Sequence, residues 1–452
     1  MWGIQHTVLW LGAFTPWLGP VPLPATHRLL ELDSRYGVAR CRPATPTERL
    51  RIDAIEPVPT SAAPAPAARR GTGLEIRLIP SPAVQAEPMF LAAMERAADA
   101  WRMRLENDVQ IDIAIDFVRD EPFIAATTST RYAWPYAALR SAMVANASPA
   151  ESWYLSALPG VMRFQTPGGV VSTVAWPNVA IRDGLYQALG GDPLDTDGVP
   201  DTRVVFNLDV PYDTTPEDGI EPGRFDPALI MAHEIGHALG FSSTVDTTQS
   251  SFPSPLDTLR MGALDAANDP STRTDLARMP RERRPDVEAA LDPVDALAGF
   301  TSPMRFSTGA TQGDGFTAGH WKDDALLGGD PPVGLMDPTP LPGVAFDSVL
   351  PKNDLLALSL IGWSIPVLIP TACGPADVTT DGSDSGLPDG RVTMSDFSLY
   401  LSRWDAGDPL ADITADGGCA PATGGDGVTL SDLSCFLSLW SEGCAESAAD
   451  GG

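Results

Sequence analysis

Hydrophobic residues recur along this chain at two different periods, and the changes of period mark its elements. Leu74-Glu75-Ile76-Arg77-Leu78-Ile79 alternates with period two, the pattern of a half-buried strand. Residues 87–105 switch to helical spacing, with Phe90, Met94, Ala97, Trp101 and Leu105 on one face. Val109–Val118 (VQIDIAIDFV) alternates again, and Val170–Trp176 and Val204–Val210 read as further strands. From Phe225 the spacing returns to three and four, through Leu229, Ile230, Ala232, Ile235, Ala238 and Leu239. Asp226-Pro227 supplies an N-cap and a first-turn proline for that helix, and Gly240 the residue that ends it. A helical stretch near Pro285–Gly299 and a closing helix over Asn353–Gly362 follow, with Trp363 as a core anchor.

The flanks of this periodic body differ from it. The first twenty-five residues are apolar, with Val8-Leu9-Trp10-Leu11 and Trp17-Leu18, and residues 1–25 read as a secretory signal peptide rather than a membrane span. Pro, Ala and Thr dominate from Arg42 to Gly73, so residues 26–73 are expected to be a propeptide or linker. Arg69-Arg70 is a candidate processing point there. Cys41 is read first as an incidental thiol and second as a thiolate plug on a metal. The folded body is expected over 74–366. Within it, residues 244–319 are polar and rich in Pro, Asp and Arg, and are predicted to wrap a cleft rim without a core of their own. A formal charge of −29 over 452 residues and a pI near 4.3 argue against a nucleic-acid partner. Extracellular solubility accounts for the acidity more simply than a preference for basic substrates. No segment reads as a transmembrane anchor.

The chain uses only five histidines, and two of them fall in Met231–Phe241, MAHEIGHALGF. His233 and His237, at i and i+4, lie on one helix face and can present two imidazoles to one zinc ion. Glu234 is about 100° further round, better placed to meet a metal-bound water than to bind the metal. This HExxH pattern belongs to metal-assisted hydrolysis, with Glu234 as general base. A structural zinc is disfavoured because the cysteines are Cys41, Cys373, Cys419, Cys435 and Cys444, none inside the body. The third ligand is open on spacing alone. The nearest expected position holds Ser243, a poor zinc ligand; Asp246, Glu221 and His320 are the candidates, with His320 preferred.

His320 opens the string His320-Trp321, and Leu335-Met336-Asp337-Pro338 follows sixteen residues after the histidine. At this point the chain, from about Leu74 to Trp363, resembles the metzincins. Within them it is similar to the leishmanolysin-like group and to secreted metallopeptidases of planctomycete-type bacteria. The resemblance implies an α+β fold, with a twisted mixed sheet, a zinc helix and a C-terminal subdomain. It implies zinc on His233, His237 and His320, Glu234 as the base, Met336 as the Met-turn residue, and a protein or peptide substrate that pairs with an edge strand. Pro338 stands where some metzincins carry a tyrosine, so no such partner is expected. Two competing readings remain: an inactive metallopeptidase-fold binding protein that docks through calcium, and a zinc hydrolase acting on something other than peptides.

The tail repeats itself. Ala376–Trp404 matches Ala411–Trp440: each has ADxT, a Gly/Asp-rich stretch, VTxSD and an amphipathic helix ending in tryptophan. Asp377, Thr379, Asp389, Arg391 (through its backbone), Thr393 and Asp396 fit ligand positions of a calcium loop, with extra residues inserted before Asp389. The second copy is poorer, with Asp412, Thr414, Thr429 and Asp432 in place and Asp426 displaced by one. Two such loops, each with one helix, resemble a dockerin domain over 373–445. That resemblance implies one or two calcium ions and a cohesin-like or cell-surface partner. Cys373–Cys444 with Cys419–Cys435 is one of three pairings open to the four cysteines. The chain is thus expected to be secreted.

Overall fold

The computed structural model describes residues 21–33, 38–43, 73–121, 123–165, 171–172, 177–194, 199–245, 252–262, 273–291, 304–328, 332–365, 376, 392, 394–405, 411 and 428–442. Val21–Asp33 (β1) and Val38–Pro43 (β2) come first. Glu75–Pro80 (β3), Pro82–Gln85 (α1), Pro88–Arg102 (α2) and Gln110–Val118 (β4) follow. Ala125–Pro135 (β5) runs into Tyr136–Asn146 (α3), then Pro149–Ser156 (α4), Phe164–Gln165 (β6) and Val171–Ser172 (β7). Next come Asn178–Ile181 (β8), Asp183–Ala188 (α5), Thr202–Asn207 (β9) and the histidine helix Pro227–Ala238 (α6). Met261–Gly262 (β10), Arg273–Arg278 (α7), Arg281–Glu282 (β11), Ala289–Leu291 (β12), Met304–Phe306 (β13) and Lys352–Ile361 (α8) complete the body. Met394–Asp405 (α9) and Leu430–Glu442 (α10) form the tail.

The result is a mixed α/β architecture with two mixed sheets, compatible with the α+β class. The larger sheet runs β2-β1-β5-β9-β4-β3, with β8 also on β5. β3, β4 and β9 are parallel, while β5 is antiparallel to both β9 and β1. The alternation of β4 works as expected: Ile111, Ile113 and Ile115 are buried, while Asp112 and Asp116 pair with Arg77 and Arg203 across the neighbouring strands. α2 buries the predicted Phe90, Met94, Ala97 and Trp101 against the sheet and α6. The Trp101 indole N–H donates to the Ala232 carbonyl of α6 at 3.0 Å.

β1 and β2, in the stretches read as leader and as propeptide or linker, pair into the main sheet. Several expectations about the body need correction. Residues 244–319 supply β10 to β13 of the second sheet, and Leu256, Leu259, Met261, Leu276, Leu291, Met304 and Phe306 join the main core. The helix expected near Pro285–Gly299 is not formed in its described part: residues 285–288 turn, and Ala289–Leu291 is a strand that pairs with Met261–Gly262 on one side and Met304–Phe306 on the other. A short apolar run buried on all sides carries no period to separate helix from strand. Of the strand expected at 170–176, Val171–Ser172 forms β7, and the last four residues lie outside the described set. β9 begins and ends earlier than the expected 204–210.

In the tail, the two repeats pack helix on helix. Tyr400 and Phe436, equivalent positions of the two copies, stack with ring centroids 3.8 Å apart and planes 4° from parallel. Ala376 and Ala411 complete that small core. Trp404 Nε1 donates to the Thr429 carbonyl at 2.6 Å, tying the end of one repeat to the helix start of the other. No described helix is long and apolar enough to cross a membrane.

The junction of α2 with α6 gives the first prediction. Trp101→Ala removes a fully buried ring and leaves a cavity under the histidine helix. It should lower unfolding free energy by about 3–5 kcal/mol in urea denaturation.

Candidate metal centre

The histidine helix is buried on every side, so its position is set by its ends and by the groups it meets. Asp226 caps its start as predicted, accepting from the Ala228 N–H at 2.8 Å. The same carboxylate accepts from Arg96 of α2 at 3.0 Å and from the Phe346 N–H at 2.9 Å, so one buried group joins α6, α2 and the loop before α8. At the other end Trp363 Nε1 donates to the Leu239 carbonyl at 2.7 Å, satisfying one of the acceptors a helix terminus leaves open. Gly240, at φ 110°, ends the helix as expected.

Beyond Gly240 the chain is turned away from the helix by a buried carboxylate. Asp257 accepts from the Ser243 hydroxyl, from the Thr244 N–H at 3.0 Å and from the Ser254 N–H at 2.8 Å. Ser243 is therefore fully engaged in a turn and is not turned to the histidines. The diverted segment builds the second sheet, and that sheet delivers His320. Arg260, fully buried, donates to the Ala318 carbonyl at 2.8 Å and the Ser307 carbonyl at 3.0 Å, fixing both sides of the His320 loop. Its guanidinium also lies 4.8 Å over the Phe306 ring.

His233, His237 and His320 meet as a three-histidine cluster able to hold a metal ion. Each Nδ1 faces a carbonyl: Leu335 at 3.0 Å for His233, Phe241 at 2.7 Å for His237 and Thr317 at 3.0 Å for His320. A carbonyl only accepts, so the Nδ1 of His233 and His237 carries the proton and their Nε2 offers a lone pair. His320 Nδ1 also lies 2.5 Å from the Thr317 hydroxyl, and donation to the Thr317 carbonyl gives it the same tautomer. The Nε2 of His320 lies 3.2 Å from that of His233 and 3.0 Å from that of His237. Three converging lone pairs repel unless a cation sits among them. A tetrahedral zinc with the usual bond lengths would hold its nitrogens about 3.3 Å apart. The donor set fits that ion. All three imidazoles and Glu234 are at most 1% exposed.

The floor beneath them is Met336. A Cβ on Gly236 would stand 2.3 Å from the Met336 Sδ, so the glycine between Ile235 and His237 admits the thioether under the helix. Glu234 accepts from the Thr127 hydroxyl of β5 in a buried contact. Tyr212 packs nearby, its hydroxyl donating to the Ile124 carbonyl at 2.9 Å; burial, then the charge of Glu234, raises its pKa well above 10. Thr127 was missed in the sequence because a hydroxyl inside a Thr/Ser-rich run gives no apolar period. Of the other ligand candidates, Glu221 is exposed and paired with Arg224, and Asp246 lies outside the described residues.

The tail sites are described only in part. Asp396 and Asp432 are fully buried at the starts of α9 and α10, and Asp432 accepts from the Thr429 N–H and hydroxyl at 2.7 and 2.8 Å. That pair of bonds caps α10 in its own right. Asp377, Thr379, Asp389, Arg391, Thr393, Asp412, Thr414 and Asp426 lie outside the described residues. Cys435 is disulfide-bonded; Cys373, Cys419 and Cys444 lie outside the described set. A second carboxylate group stands near the centre, where Asp323, Asp324 and Asp337 bring oxygens within 4.8 Å of one another. Comparison of the chain with protein-family models, with curated proteins and with solved structures returned no match.

Asp337 gives a pH prediction. Burial, reinforced by Asp323 and Asp324, raises its pKa from 3.8 to about 7. Between those values the folded chain holds a proton that the unfolded chain releases. Its contribution to stability is thus full below the lower value and lost as pH rises through about 7. Asp337→Asn should therefore gain about 1–3 kcal/mol over the wild type on going from pH 4 to pH 8. Urea denaturation of both proteins across that range checks it.

Proposed function

We propose that this chain is a secreted zinc endopeptidase of the metzincin type, with a C-terminal dockerin-like unit that binds calcium and attaches the enzyme to a cohesin-like or cell-surface partner. The observation that carries the reading is the convergence of the three Nε2 atoms beside a buried Glu234. His233, His237 and His320 would hold the zinc, leaving a fourth position for catalysis. When bound there, zinc supplies Lewis acidity that polarises the scissile carbonyl and makes water a nucleophile near neutral pH. Thr127 anchors one oxygen of Glu234, which assigns proton transfer to the other: it takes a proton from water and passes it to the departing amine. Met336 keeps the floor of the site apolar and dry.

Casein cleavage tests this directly. Glu234→Ala should lower kcat/KM by about 10²–10⁴-fold while zinc content is unchanged. His320→Ala should lose bound zinc. Equal turnover by wild type and Glu234→Ala would sink the peptidase reading.

The same reading gives residues 26–73 a role as a removable propeptide. β1 lies antiparallel along the outer edge of β5, with Arg28 opposite Thr127, the partner of Glu234. An extended peptide would use that edge by strand addition. The histidines and Glu234 are at most 1% exposed, and release of β1 would free the β5 edge beside Thr127 for a substrate strand. A specific protease site inserted between residues 60 and 66 checks the point. Cutting there should raise casein turnover at least about tenfold, equivalent to about 1.4 kcal/mol of strand competition. Unchanged turnover would show that β1 belongs to the mature fold.

A further inference from the structure

Asp354 stands in the first turn of α8, fully buried, and no step proposed above uses it. Its carboxylate is surrounded by donors. Oδ1 accepts from Trp321 Nε1 at 2.8 Å and from the Met336 N–H at 3.1 Å, while Oδ2 accepts from the Leu335 N–H at 2.6 Å. Burial raises its pKa to about 6 and these donors oppose the rise. At neutral pH it is therefore the anion that suits the pocket, since a protonated carboxyl would turn a hydrogen toward donors. The backbone has been cleared for it: a Cβ on Gly334 would lie 2.3 Å from Oδ2.

The peptide unit between Leu335 and Met336 links this carboxylate to the metal centre. Its N–H points to Asp354, and its carbonyl accepts from His233 Nδ1 at 3.0 Å. A hydrogen bond given to an anion polarises the peptide and makes its carbonyl a better acceptor. That in turn pulls on the Nδ1 proton and makes the opposite nitrogen more basic. Trp321, bonded to the same carboxylate, follows His320 directly and donates its own N–H to the Met336 carbonyl at 3.0 Å. One buried acid thus reaches two of the three histidines.

We infer that Asp354 is a positioning residue for the metal centre, acting on His233 through the Leu335–Met336 peptide as a carboxylate–peptide–imidazole relay that strengthens Nε2 as a metal donor. The inference rests on the zinc reading of the cluster and not on peptide cleavage. A protein cut between residues 60 and 66 that binds zinc tightly but still leaves casein intact would end the peptidase assignment and leave the relay standing.

Asp354→Asn keeps the shape and removes the charge. Zinc affinity, measured by competition with a chelator, should fall about 10–100-fold. The visible absorption of the cobalt-substituted protein should shift with it, showing a changed ligand field. A purely structural clamp predicts another pattern: a lower Tm, with the folded protein's zinc affinity and cobalt spectrum unchanged. That pattern would overturn the relay. If the variant does not fold, the wild type answers the question. Histidine-selective ¹⁵N labelling of the zinc-loaded chain gives at most five imidazoles to assign. On distance alone the Nδ1 proton of His237, at 2.7 Å from its carbonyl, belongs further downfield than that of His233, at 3.0 Å. The relay places the His233 proton level with it or beyond. The order dictated by distance would show that no charge is carried.

Discussion

Three imidazole nitrogens with their lone pairs turned inward, 3.0 and 3.2 Å apart, form an arrangement that the fold must hold against its own repulsion. Rotating any ring would relieve it. Each ring is prevented from doing so by a carbonyl on its far side, and each of those carbonyls is fixed by a different part of the chain. Phe241 belongs to the end of the histidine helix itself. Leu335 belongs to the methionine turn, and Thr317 to the loop that Arg260 clamps through Ala318 and Ser307. The two sheets and the closing helix therefore meet at one point, where a bound cation would replace the repulsion with coordination. Folding and metal affinity become parts of one equilibrium in such a site.

How much of this was legible depended on periodicity. The helix bearing His233 and His237 was readable because its apolar spacing, its Asp226 cap and its Gly240 terminus all agree with one another. β3, β4, α2 and α8 were readable to within a few residues for the same reason. β5 was not. Its Thr127-Thr128-Ser129-Thr130 core buries Thr127 and Ser129, and the hydroxyls break the apolar alternation that marks a strand. The second sheet escaped because its strands are two or three residues long, below the window in which any period can be counted. His320 was found by scarcity, since a chain with five histidines offers few candidates. The reason it reaches the helix, the turn enforced by Asp257, lies in tertiary contacts that a spacing rule does not carry.

The tail shows the opposite balance. Its internal repeat was visible as matched letters, and the fold gives the match a physical meaning. Tyr400 stacks on Phe436, so each copy supplies the face that the other needs to bury. A single copy would leave that aromatic exposed. The duplication is thus what makes a unit of two short helices stable, with Trp404 reaching across to the Thr429 carbonyl as a further tie.

The acidity of the chain also changes meaning once the interior is seen. A charge of −29 reads as a surface property, yet Asp226, Asp257 and Asp354 are at most 1% exposed and do the work of junctions. Each gathers donors from segments distant in sequence, and each marks a place where the chain must change direction beside the metal centre: the entry to the histidine helix, its exit, and the methionine turn. A carboxylate suits these posts because its two oxygens can accept several backbone N–H groups at once, where an amide or hydroxyl would satisfy fewer. Arg260 and Arg281 play the mirror role in the second sheet. Both are fully buried and give their protons to main-chain carbonyls, with burial lowering the Arg281 pKa. Acids gather N–H groups around the first two histidines, and the Arg260 guanidinium gathers carbonyls around the loop of the third. The histidine cluster thus depends on both kinds of charged junction, carboxylates that gather N–H groups and a guanidinium that gathers carbonyls.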